Sequence, residues 1–236
     1  SDILLELKGK DHAHVVSQEK HTHARIAERL VEQLESHETL FNRRSVEAAV
    51  RDEVGNKEGM EKLVDKVIRH PSVIPLGKGA DGRQTYITRM AFDLEDRLDY
   101  IADSLVKKKG FWVPSVATRL AAKHAKCNDS QTAALHHLME SKRLSLVVGV
   151  AGSGKTRLLK TARTLWEGAG HQVIGLSTSG RAVAGLETDT GIKSYTISKF
   201  KKLQDLGHLE LTSRHVVVMD EMGMTSLDDM LVVLET

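Results

Sequence analysis

The eight residues Gly149-Val150-Ala151-Gly152-Ser153-Gly154-Lys155-Thr156 combine glycines, a lysine and a hydroxyl at a spacing suited to holding a chain of phosphates. Glycines at 149, 152 and 154 let backbone N–H groups close around phosphate oxygens, and a helix starting at the lysine adds the positive end of its dipole. Lys155 then reaches the β- and γ-phosphates as a point charge, and the Thr156 hydroxyl ligates Mg²⁺. The pattern is short enough to arise by chance, so its setting has to agree. Upstream, Leu144-Ser145-Leu146-Val147-Val148 is an apolar run suited to a buried parallel strand. Downstream, Leu158, Leu159, Ala162, Leu165 and Trp166 keep a helical period until Gly168-Ala169-Gly170, and Gln172-Val173-Ile174-Gly175-Leu176 reads as the next strand. Strand, glycine loop, helix and strand together predict a βαβ unit.

Phosphoryl chemistry also needs carboxylates beside the metal, at the end of another apolar strand. His215-Val216-Val217-Val218-Met219-Asp220-Glu221 supplies them. Asp220 is placed to hold Mg²⁺, and Glu221 to orient and deprotonate the attacking water, so Lys155, Asp220 and Glu221 form the expected catalytic set. A guanine-specifying Asn-Lys-x-Asp is absent, since Asn56-Lys57-Glu58-Gly59 fails that pattern, and ATP is favoured over GTP. Gln131, near the start of a helix carrying Ala134, Leu135 and Leu138, has a side chain able to pair with the N6/N7 edge of adenine. The expected nucleotide contacts are therefore Gln131, Gly149, Ala151, Gly152, Ser153, Gly154, Lys155, Thr156 and Arg157. The expected metal ligands are Thr156 and Asp220.

The elements that position these groups can be read from periodicity and caps. Residues 1–20 are polar and aperiodic, which predicts a tail or linker. Ile26, Leu30, Val31 and Leu34 predict a helix over about 22–36. Asn42 is placed to cap a second, with Val46, Ala49 and Val50, ended by Gly55. Met60, Leu63, Val64 and Val67 predict a third that stops before Pro71. Ser72–Leu76, the turn-rich stretch Gly77–Gly82 and Gln84–Thr88 read as a hairpin. Three helices and a hairpin suggest a winged-helix unit over 21–110. Its candidate basic residues are Arg43, Arg44, Lys78, Arg83 and Arg89, with a plain spacer role as the alternative. A long helix over about 89–107 runs to Lys107-Lys108-Lys109-Gly110, the expected boundary with a second domain at 111–236.

Composition limits the function classes. The 236 residues are 40% hydrophobic and 28% charged, as in an ordinary globular protein. No run approaches the roughly 20 apolar residues of a membrane span, and the start lacks a signal peptide's order, so a cytoplasmic protein without a membrane segment is expected. The single cysteine, Cys127, has no internal disulfide partner. A formal net charge of +2 permits nucleic-acid binding without arguing for it. His12-Ala13-His14 and His21-Thr22-His23 have ligand-like spacing, but the neighbouring residues favour a solvated polar segment over a metal site.

Taken in order, Gln131, the Gly149–Thr156 loop, Gly175-Leu176-Ser177-Thr178-Ser179-Gly180-Arg181-Ala182, Ser194-Tyr195-Thr196-Ile197 and Asp220-Glu221-Met222-Gly223-Met224 resemble the early motifs of RecD-like superfamily 1 DNA helicases. The resemblance is strongest to the helicase part of TraA-type conjugative relaxases, and it spans about residues 21–236. It implies an α/β fold: the N-terminal part of a RecA-like P-loop NTPase with a parallel sheet, preceded by the mainly helical, winged-helix-like accessory domain. It implies single-stranded DNA as a partner, held by Thr178, Ser179, Gly180, Arg181, Ser194 and Thr196, chiefly at phosphates. It further implies other conjugation proteins as partners, with the chain itself expected to be monomeric.

The expected final helix, Leu227–Glu235, meets the end of the chain without a stop signal, which reads as a fragment. In the family a sensor glutamine, phosphoryl-stabilising arginines and a second motor domain lie further on. Met222 stands where the family usually has a small residue. The competing readings are a non-catalytic module that tethers single-stranded DNA and a P-loop kinase of small molecules.

Overall fold

The computed structural model describes residues 22–35, 39–51, 53, 57–150 and 152–236. Residues 1–20, with His12 and His14, as well as His21, Gly55 and Ala151, lie outside them. Two compact units divide between Asp96 and Arg97, upstream of the boundary expected at Gly110.

In the first unit, helix α1 (residues 22–35) precedes β1 (Leu40–Asn42), α2 (Arg43–Val50), α3 (Lys57–Ile68), β2 (Val73–Lys78) and β3 (Gln84–Thr88). The Asn42 side chain accepts from Arg44 N at 2.8 Å and Ser45 N at 3.4 Å, so the first free N–H groups of α2 are capped as its sequence predicts. The strands form an antiparallel sheet in the order β1-β3-β2, with Phe41 opposite Tyr86 and a register shift at Pro75/Gly77 where Gly77 takes φ +107°. Strand β1 is an addition to the expected hairpin and completes winged-helix topology. Leu30, Leu34, Phe41, Val46, Val50, Leu63, Val64 and Val67 close one core. Two of the expected basic residues are already paired: Arg43 with Asp65 at 2.8 Å and Glu47 at 3.1 Å, and Arg83 with Asp81 at 3.2 Å. Asp65 foremost holds the Arg43 guanidinium more firmly charged than usual.

Helix α4 (Arg89–Lys107) spans the division. The second unit continues with α5 (Ser115–His124), α6 (Asp129–Leu138), α7 (Lys155–Gly168), β4 (Gln172–Ser177), α8 (Gly180–Thr190), β5 (Lys193–Thr196), α9 (Ile197–Asp205), β6 (His215–Met219), a 3-10 turn at Met222–Met224 and α10 (Leu227–Leu234). Strands β5-β4-β6 are parallel in that order, with Ser177 opposite Thr196 and Leu176 opposite Met219. Both faces are covered, as parallel sheets require. Val173 and Val218 join Leu135, Leu158, Ala162 and Trp166 on one side, and Ile174 and Leu176 join Ile197 and Phe200 on the other. This is the partial α/β sheet of a P-loop NTPase. Among the described residues no helix is long and apolar enough to cross a membrane.

One expected element does not form. Residues 144–150 have no regular structure, and Val148 is fully exposed at 100%. A strand exists only where a neighbour takes up its N–H and C=O groups. Strand β6 pairs with β4 and, among the described residues, with no strand on its other side. The apolar run is not paired to that open edge, and the βαβ unit predicted around the glycine loop is only its loop, helix and second strand. The sheet's own βαβ units are β4-α8-β5 and β5-α9-β6.

Candidate functional site

The glycine loop takes the shape its residue types require. Gly152 and Gly154 have left-handed φ of +76° and +84°, which side-chain-bearing residues adopt at a cost. Helix α7 begins at Lys155 with no side chain capping it, so its first-turn N–H groups stand ready for an anion. Lys155 Nζ donates to Gly149 O at 2.5 Å and Val150 O at 3.3 Å, folding the ammonium into the loop where phosphate oxygens would compete for it. An uncapped 14-residue helix with a lysine at its first position fits a nucleotide's phosphates. Thr156 is exposed beside it.

Gln131 lies against this loop. Its amide donates to Ser153 O at 2.8 Å while its carbonyl oxygen accepts from Asn128 N at 3.1 Å, completing a capping box at the start of α6. Arg157 points elsewhere, donating to Lys126 O at 3.3 Å in the turn between α5 and α6.

The remaining residues collect at the carboxyl edge of the sheet. Helix α7 has 14 residues and β4 has 6, each about 20 Å long at their usual rises. They are joined by a tight turn in which His171 N donates to Trp166 O. The end of α7 therefore meets the start of β4, and its beginning, Lys155, returns to the carboxyl edge. Asp220 follows β6 at that same edge, where its N–H donates to Leu176 O of β4 at 3.2 Å. Its Oδ1 accepts from Glu221 N at 3.0 Å. Glu221 is exposed and held at φ +60°, a conformation uncommon for a residue bearing a side chain. Thr178, Ser179, Gly180 and Arg181 form the exposed exit of β4, with Ser179 capping α8 through Ala182 N at 3.2 Å. Thr196 ends β5 and caps α9 through Lys199 N at 3.2 Å. In open parallel sheets ligands gather at such an edge.

Ser194 is not among the surface groups. Its side chain is buried, donates to Ile192 O at 2.7 Å and packs against Gly175 of β4. Its neighbour Tyr195 lies inside the Ser194–Ile197 motif, and Lys193 and Lys199 place their ammonium groups 5.7 and 5.5 Å from its ring. The Tyr195 hydroxyl raises the Lys193 pKa above its ordinary value. The signal is legible as Lys193-Ser194-Tyr195-Thr196-Ile197-Ser198-Lys199, an aromatic between two cations. Among the described residues no group of three histidine, cysteine or acidic side chains could hold a metal, so a divalent ion here would rely on phosphate oxygens beside Thr156 and Asp220.

The loop, the uncapped helix and the parallel sheet define a P-loop NTPase. Residues 126–236 match the family described as AAA domain. The conjugal transfer protein TraA of Sinorhizobium fredii is 29% identical over 206 residues, 84% of this chain and 19% of its own length. The TraA proteins of Rhizobium radiobacter and Agrobacterium fabrum are 30% and 31% identical over 200 residues, 81% of this chain and 18% of theirs. The chain is similar to these proteins over most of its own length and spans about a fifth of theirs.

Proposed function

We propose that this chain is the ATP-gripping part of a DNA-dependent ATPase that acts as a helicase in conjugative DNA transfer. The observation that carries the reading is the edge geometry: Lys155 at an uncapped helix start shares the sheet's carboxyl edge with Asp220, Glu221 and an exposed Ser/Thr/Arg loop. In this reading the N–H groups of the loop and Lys155 hold the phosphates, Thr156 and Asp220 hold Mg²⁺, and Glu221 orients water. The metal supplies charge neutralisation at the transferring phosphoryl group. Gln131, already against the loop, is the candidate adenine contact. Thr178, Ser179, Gly180, Arg181 and Thr196 grip single-stranded DNA through its phosphates, with Tyr195 beside them as a ring on which a base can stack.

The test is binding of a fluorescent ATP analogue with Mg²⁺. Lys155→Ala removes a charge-assisted hydrogen bond worth about 1.5–3 kcal/mol, so affinity is expected to fall roughly 10- to 150-fold. Unchanged affinity in that variant refutes the nucleotide site. Salt-dependent binding of single-stranded oligonucleotides separates this reading from a small-molecule kinase, which has no use for a polyanion.

A further inference from the structure

Helix α5 carries a face that the nucleotide site and the sheet edge leave unexplained. Val116, Arg119, Leu120 and Lys123 follow one another at helical spacing and are exposed, and Trp112, in the irregular segment just before the helix, is exposed at 65%. From Ser104 through Asn128 the chain contains no aspartate or glutamate, but it contains Lys107, Lys108, Lys109, Arg119, Lys123 and Lys126. This concentration occurs in a chain whose formal net charge is only +2. The backbone on both sides of Trp112 is clamped: Ser141 Oγ donates to Gly110 O at 2.8 Å, and Val113 N to Met139 O at 3.4 Å. Gly110 approaches Lys142 O so closely that a Cβ there would not fit. Phe111 turns inward onto His171, with ring centroids 4.1 Å apart. The indole is thus held out by a fixed segment.

We propose that this face is a second binding surface for single-stranded nucleic acid, with Trp112 as a stacking platform and Arg119 and Lys123 as phosphate-binding groups. The proposal rests on the reading of the chain as a DNA-dependent motor segment and adds a binding surface away from the sheet edge. An exposed ring beside cations, in a stretch of chain that itself carries no aspartate or glutamate, is a combination that binds single strands regardless of sequence. A partner helix needs a continuous apolar stripe or groove, whereas the exposed apolar residues of α5 on this face are Val116 and Leu120, flanked by Arg119 and Lys123. The turn that follows α5 is also joined to the start of α7, through Lys126 O accepting from Arg157.

The chain's two tryptophans make the test direct. Trp166 is buried at 3%, so quenching of tryptophan emission by added oligothymidylate reports on Trp112. Quenching that saturates together with the polarisation of a labelled oligothymidylate is expected. Trp112→Ala is expected to abolish the quench and weaken binding on the order of tenfold. Arg119→Ala with Lys123→Ala is expected to lower the salt slope by about 0.7 for each phosphate that is no longer neutralised. If oligothymidylate binds but leaves emission unchanged, and the α5 variants bind like the parent while Arg181→Ala weakens binding, the second surface is overturned and the sheet-edge reading stands. If the α5 variants lose binding and Arg181→Ala does not, the proposal holds and the sheet-edge reading fails. Quenching by an acidic amphipathic peptide but not by oligothymidylate assigns the face to a protein partner and overturns the proposal.

Discussion

Replacing Gly154 with alanine tests the loop and its neighbour together. Gly154 sits at φ +84°, where an L side chain costs about 1–2 kcal/mol. A Cβ there would also fall well inside van der Waals range of Gln131 Nε2. Relief requires the Gln131 amide to leave Ser153 O, forfeiting a hydrogen bond worth about 1 kcal/mol. The sum, about 2–3 kcal/mol against the loop shape that receives phosphates, is expected to weaken binding of a fluorescent ATP analogue roughly 30- to 150-fold. Gly152→Ala separates the causes: its φ is +76°, but nothing lies within 4 Å of the new Cβ, so only the backbone cost of about 1–2 kcal/mol remains. In a Gln131→Ala background the cost of Gly154→Ala should drop to that same backbone value, a coupling of about 1 kcal/mol in a double-mutant cycle. Equal losses for Gly152→Ala and Gly154→Ala, with no coupling to Gln131, would refute the account.

Three further expectations concern the scaffold and can be read by urea denaturation. Val148→Ser should change stability by less than about 0.5 kcal/mol because the side chain is fully exposed; a loss above about 2 kcal/mol would show it buried after all. Gly175→Ala should destabilise by about 1–3 kcal/mol, since its Cβ would collide with Ser194 Oγ and lie 2.8 Å from Leu186 Cδ2. Adding Ser194→Gly should recover part of that loss, and no recovery would contradict the packing. Asn42→Ala should remove the cap of α2 at a cost of about 1 kcal/mol, and an unchanged midpoint would mean the two N–H groups find other partners.

Much of the fold is legible in the sequence because burial leaves a periodic trace. The positions predicted to face a core in the first three helices, among them Leu30, Leu34, Val46, Val50, Leu63 and Val67, are those buried there. Asn42 announces its helix through a side chain that can serve the free N–H groups. What periodicity cannot express is the presence of a partner. Leu144–Val148 has the composition of a buried strand but is paired with no strand, while Leu40–Asn42, only three residues long, is a strand because β3 lies beside it. Helix α5 is hard to read for a related reason: Val116 and Leu120 face outward, so its apolar residues do not trace one buried side. In the candidate site, residue type suggests that Ser194 meets the surface, but alternation along β5 turns its hydroxyl toward Gly175. Arg157 belongs with the nucleotide contacts by its place after the loop, and its helix aims it instead at Lys126 O.

If Glu221 orients water as proposed, its left-handed backbone sets stability and activity against each other. A glycine or asparagine would occupy that φ with less strain, so random variation selected only for a better-folded protein would drift away from glutamate. Under that proposal, Glu221 is a position where a thermostabilised version of this protein would trade the proposed chemistry for a more relaxed turn.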